Sequence, residues 1–96
     1  MKYRFHSEAE FELIGAVQFY EKCSPPLGSE FLDEVDKAIL SVLRNPQQFG
    51  IVEFGLRLAP TKRFPYGLIF HASDEILILA VMHLHRKPAY WQQRIP

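Results

Sequence analysis

The sequence has a single cysteine, Cys23, which excludes an intramolecular disulfide and any metal site built on several thiolates. It has no apolar run of membrane-crossing length: the longest, Ile76–Met82, is far too short to span a bilayer. The opening Met-Lys-Tyr-Arg-Phe-His lacks the apolar core of a signal peptide, so a soluble, cytoplasmic chain is expected. No glycine-rich phosphate loop, Gly-x-Ser-x-Gly or His-Glu-x-x-His occurs, and there is no internal repeat, linker or low-complexity segment. Paired carboxylates for hydrolysis are also missing near the end of the last apolar run. Glu53, Asp74 and Glu75 are the only acids of the second half, and all three fall in expected loops.

What remains is a chain of 96 residues, sized for one domain over 1–96, with eight Phe, four Tyr and one Trp to build its core. A domain this small buries about 60–65% of the surface its unfolded form exposes, so it folds alone with a modest margin. Its net charge of zero conceals an asymmetry. Residues 1–45 carry a balance of −3 and residues 46–96 a balance of +3, which predicts two faces with different partners.

Along the chain, Tyr3 and Phe5 alternate with Lys2, Arg4 and His6 as a short, half-buried strand. Ser7 with Glu10 has the form of a capping box, and Ala9, Leu13, Ala16, Val17 and Tyr20 make one apolar helix face, with Phe11 and Phe19 left to meet a neighbour or partner. Pro25-Pro26-Leu27-Gly28 breaks that helix. A second helix is expected over about 29–43, its stripe formed by Phe31, Val35, Ala38, Ile39 and Val42. Residues 47–55 read as a loop or irregular edge, and a strand begins near Phe54. Another strand runs from Lys62 to His71 and is bulged or placed at an edge by Pro65. The last strand runs from Ile76 to about residue 86. Its unbroken apolar start predicts a central strand covered on both faces. The order βααβββ gives an α+β fold: a helix hairpin packed on one face of a small, mainly antiparallel sheet.

Candidate functional residues gather after that strand. His83 and His85 share a strand face and could begin a metal site only with His71 as third ligand; the favoured reading is that one caps the core and the other hydrogen-bonds near the tail. No metal or other cofactor is expected. Arg57, Lys62, Arg63, Arg86, Lys87 and Arg94 come from strand ends and the tail, and could converge on the face opposite the helices as a concave basic surface. The alternative is a scattered set of solvated charges. Tyr90 and Trp91 lie among these cations, an arrangement suited to base stacking with phosphate contact, although Trp91 is expected to fold back over the sheet edge. Ribonuclease chemistry here would use the RNA's own 2′-hydroxyl, a base, an acid and arginines.

These residues line up as Ala16-Val17-x-x-Tyr20, Leu27-Gly28-x-x-Phe31, Asn45-Pro46, Arg57, Arg63-Phe64-Pro65-Tyr66 and His83-x-His85-Arg86-Lys87-Pro88-x-Tyr90-Trp91-x-x-Arg94. In that order and spacing the chain resembles the RelE/ParE superfamily of type II toxin–antitoxin toxins, on the plasmid-stabilisation side. The resemblance implies a toxin held inactive by a small cognate antitoxin, which packs in the helix-hairpin and sheet grooves. ParE-like members poison DNA gyrase, whereas RelE-like members cleave mRNA in the ribosome. The Pro-x-Tyr-Trp ending and thin cation set favour the ParE-like side. The target-binding surface is then Arg57, Lys62, Arg63, Arg86, Lys87, Tyr90 and Arg94. An mRNA endonuclease would instead use Arg63, Arg86, Tyr90 and His85 for catalysis. A third alternative is an inactive, solitary homologue that only binds a partner.

Overall fold

The computed structural model describes residues 1–85 and 90–95. It contains β1 (Tyr3–Phe5), α1 (Ser7–Cys23), α2 (Pro25–Arg44), a 3-10 turn at Pro46–Gln48, β2 (Arg57–Pro60), β3 (Tyr66–Ala72), β4 (Ile76–His83) and a 3-10 turn at Gln92–Arg94. The four strands form one sheet in the order β1-β4-β3-β2. Strand β1 runs parallel to β4, and the other pairings are antiparallel. The fold is therefore the expected α+β arrangement, with β4 in the interior of the sheet.

Local chemistry moves several element ends. The capping box is not formed: His6 is the N-cap of α1, its Nδ1 accepting the Glu8 N–H at 3.1 Å, and Ser7 is already helical. The Pro25-Pro26 pair does not merely break α1. It opens α2 four residues before the expected start, where a missing N–H costs nothing. Gly28 is buried against α1; a β-carbon there would stand 2.1 Å from Glu21 Cγ, so a larger residue would require the Glu21 side chain to move aside. Pro65 lies before β3 rather than inside it, and residues 62–65 are a bend.

Two apolar layers enclose the sheet. On the helix side, the expected stripes deliver Ala9, Ala16, Phe31, Val35, Ala38, Ile39 and Val42 onto Leu68, Phe70, Ile76, Ile78 and Val81. On the other side, Leu56, Ile69, Leu77, Leu79, Ala80 and Met82 are covered by Trp91, with Tyr90 and Ile95 against them. Trp91 folds back as expected, but over the sheet face and not its edge. A β-bulge explains how β4 serves both layers. Ile69 pairs with Ala80 and Phe70 with Ile78, which leaves Leu79 as the extra residue. Alternation changes phase there: Leu77 and Leu79 face the tail, and so do Ala80 and Met82, while Val81 stays on the helix side.

The segment expected as loop contains a tight hairpin. Ile51 bridges Arg57, Val52 N–H donates to Leu56 O at 2.8 Å, and Leu56 N–H donates to Glu53 O at 2.8 Å. Phe54 and Gly55 occupy the two central positions with φ of 54° and 73°. Two positive φ angles define a type I′ turn, which favours Asn-Gly because an ordinary side chain is strained in the left-handed region. Phe54 bears that strain while remaining 63% exposed. Phe54→Asn should therefore raise folding stability by about 1 kcal/mol, read by urea denaturation; an unchanged or lower midpoint would contradict the assignment of strain to this residue.

Candidate functional site

The end of β4 is where the chemistry-bearing residues meet. Strand β1 stops at Phe5, opposite Ile78, so the far half of β4 has no strand on that side. Two side chains take its place. Glu12, projecting from α1, accepts the Val81 N–H at 3.0 Å. Arg94, from the tail, donates to Leu79 O at 2.9 Å and grips both Glu12 oxygens, each at 3.0 Å. Its guanidinium also lies 5.2 Å from the Tyr90 ring centre. Both side chains are largely buried, at 14% and 19% exposed. The pair thus satisfies strand backbone that would otherwise lack partners, and it latches the tail to α1.

Beside this latch, between α1 and the sheet, lies a cleft of about 440 Å³ lined by Glu12, Gly15, Ala16, Phe19, Tyr20, Tyr66, Val81 and His83. The bulge places His83 on this helix side of the sheet. The His83 ring meets Tyr66 edge-on at 5.1 Å and stands 5.4 Å from His85. His83 Nδ1 accepts the His85 N–H at 3.2 Å, so a neutral His83 carries its proton on Nε2 as a donor. Burial pushes the Tyr20 phenol above its ordinary value, with smaller contributions from Tyr66 and Cys23. The cleft therefore offers aromatic walls, a phenol kept neutral and an imidazole donor. His71 pairs with Leu77 near the opposite end of the β3–β4 hairpin from His83, so it does not serve as a third ligand. Among the described residues, no three His, Cys, Asp or Glu side chains stand close enough to hold a metal ion.

Among the described residues, the cations do not gather on the face opposite the helices, which is apolar and covered by the tail. Arg57 donates to Phe49 O at 2.6 Å. Arg63 pairs with Glu30 of α2 at 2.8 Å and lies 5.4 Å from the Phe64 ring centre. Lys62 is exposed and lines a small cleft with Glu34, Lys37 and Ser41 of α2. Both Lys62 and Arg63 thus neighbour the helices. Arg94 and Tyr90 are brought together in the latch, and His85 is exposed beside His83. Arg86 and Lys87 lie outside the described residues.

The motif aromatics have a different role. Tyr20, Phe31, Phe64 and Tyr66 form one cluster, with ring centres 4.8 Å apart for Tyr20–Phe64, 5.2 Å for Phe31–Phe64 and 5.0 Å for Phe31–Tyr66. Residues that look like a dispersed sequence signature are thus a single packing unit that ties α1, α2 and β3 together. The residue that sequence reasoning missed is Glu12. It lies off the apolar face of the helix, and its distance from Arg94 along the chain gives no signal of their pairing.

Two outcomes follow. Arg94→Ala, which strips donors from Glu12 and Leu79 O, should cost about 3 kcal/mol in urea unfolding. In a double-mutant cycle with Glu12→Ala the costs should be strongly non-additive; full additivity would mean that the latch is absent. Tyr20 should also steepen the alkaline loss of stability. Its raised value means that the folded chain keeps a proton which the unfolded chain releases, so its contribution is complete below the ordinary value of 10.0 and is lost as pH rises through the higher folded value. Unfolding midpoints over that range should fall less steeply in Tyr20→Phe.

No protein-family model and no curated protein matches the chain. Among solved structures, the fold is similar to a chain of one described as the chromosomal ParDE TA system from P. aeruginosa. The TM-score is 0.74, the identity is 18%, and the match covers 88% of this chain and 97% of that one. The architecture that the motifs imply is thus found in this chain almost end to end.

Proposed function

We infer that this chain is the ParE-like toxin of a type II toxin–antitoxin pair. In this reading it slows growth in the cytoplasm by poisoning DNA gyrase, and a cognate antitoxin neutralises it. The observation that carries the inference is the near-complete match to a fold from a ParDE system, in a chain that also bears the ordered motif line. Among the described residues no helix is long and apolar enough to cross a membrane. A binding role is favoured over hydrolysis by where two of the catalytic candidates sit. Arg63 is paired with Glu30, and Tyr90 lies beneath Arg94 against the apolar tail layer. Lys62, Arg63, Arg86 and Lys87 are the cations proposed to meet the target, while Arg94 acts by holding the tail.

The antitoxin has a surface to cover. Phe11, Ile14 and Phe19 on α1 are 72%, 48% and 58% exposed, and Leu32 and Leu40 on α2 are 39% and 58% exposed. These are large apolar side chains left over after both core stripes are filled, and a partner packing on the helix hairpin would bury them.

One observation favours the mRNA endonuclease as a second reading. His83 and His85 stand side by side at the end of β4, with Tyr66 against His83, and such a group could move protons without a metal.

Inducible expression with parallel readouts separates these readings. Growth should stop, plasmid supercoiling should change, and transcripts should stay intact. Cleaved mRNA with normal supercoiling would favour the endonuclease, and undisturbed growth the inactive homologue. Arg86→Ala with Lys87→Ala should reduce toxicity at least tenfold. Phe11→Asp with Phe19→Asp should leave toxicity in place but abolish rescue by the co-expressed antitoxin.

A further inference from the structure

The hairpin over residues 50–58 ends in a strained, exposed aromatic, and its outer strand is open. Leu58 N–H donates to Gly50 O at 3.2 Å, and Val52 N–H donates to Leu56 O at 2.8 Å. These two bonds flank the Ile51–Arg57 bridge, so Ile51 sits at a position whose own N–H and C=O point away from Arg57. Among the described residues, neither of these Ile51 groups has a hydrogen-bond partner. The side chains around this open edge are apolar and exposed: Ile51 at 60%, Val52 at 43% and Phe54 at 63%. A flat apolar edge is a template for pairing with another strand, and proteins normally blunt it with charge, proline or cover. Only Glu53 supplies charge here.

We propose that this edge pairs with the same edge of a second copy of the chain, making a two-fold symmetric, antiparallel β contact centred on Ile51. Several observations select a second copy. An outward-pointing N–H and C=O on one residue form a hydrogen-bonded pair with their own symmetry mates, Ile51 N–H to Ile51 O in both directions, as a two-fold contact requires. In that register Val52 of each copy stands opposite Gly50 of the other. A β-carbon built on Gly50 meets nothing within 4 Å, so there is open room for the valine. The net charge of zero gives no long-range repulsion between copies. Arg57, the cation nearest this edge, is turned back onto Phe49 O at 2.6 Å and does not oppose its symmetry mate. The short ladder makes the dimer weak and concentration-dependent. It also accounts for Phe54, whose turn position would favour asparagine for folding alone but which widens the apolar contact at the hairpin tip. The inference does not rest on the toxin reading.

Sedimentation velocity of the full chain over a concentration series tests it, together with amide hydrogen exchange at Ile51. The sedimentation coefficient should rise toward that of a dimer, and exchange at Ile51 should slow as concentration increases. Ile51→Lys, which charges the edge, should remain monomeric with an unchanged thermal melt, and Ile51→Pro, which removes the donor, should do the same. If the proline variant fails to fold, the lysine variant decides. A chain that stays monomeric throughout overturns the proposal, even if it binds an extended segment of another protein at this edge. A dimer that survives Ile51→Lys overturns it equally.

Discussion

Everything in this chain depends on one strand that must be covered twice. From Ile76 to Met82 every side chain of β4 is buried, so the sheet needs an apolar layer on each face and a way to share seven consecutive residues between them. The helix hairpin supplies one layer and the C-terminal tail the other. The bulge at Leu79 divides the side chains, sending Leu79 and Ala80 to the same face. It also puts His83 beside α1, where Tyr20 and Tyr66 already stand. The candidate site is therefore a consequence of how the central strand is packed.

The same constraint explains why charge behaves unexpectedly. A tail that covers apolar surface has to be fixed in place, and a strand edge left open by the short β1 needs hydrogen-bond partners. Arg94 and Glu12 meet both needs in one arrangement. An arginine that looks, in sequence, like part of a phosphate-binding set is committed to the fold. Arg57 is similarly engaged, with the Phe49 carbonyl, whereas Arg63 pairs with Glu30 at the surface and stays accessible. In a protein without disulfides, such side-chain ties are what order the chain ends and loops around a small core.

The fold was legible because its signals are periodic and local. The α1 and α2 stripes, the continuous apolar run of β4 and the alternation in β1 led directly to elements and layers. Element ends were less legible, because Pro25 can either stop a helix or start one, and the cap of α1 falls to His6, which is not a residue type that sequence rules favour there. The type I′ turn was hidden because it carries Phe54 where asparagine would have announced it. The candidate site was only partly legible. Its histidines were visible, but their facing depends on a one-residue register shift that leaves no mark in composition. The Glu12–Arg94 pairing joins opposite ends of the chain, beyond any spacing rule. The motif residues Tyr20, Phe31, Phe64 and Tyr66 pointed to the right fold because they pack against one another.

Gyrase inhibition is the central functional claim, and purified components test it most directly. Gyrase, relaxed plasmid and ATP are incubated with increasing amounts of the purified chain, and supercoiled and cleaved DNA are resolved on gels. The account predicts dose-dependent loss of supercoiling, with trapped, cleaved DNA, abolished when the cognate antitoxin is added first. Full supercoiling at every dose, by protein that still arrests growth on expression, would contradict it.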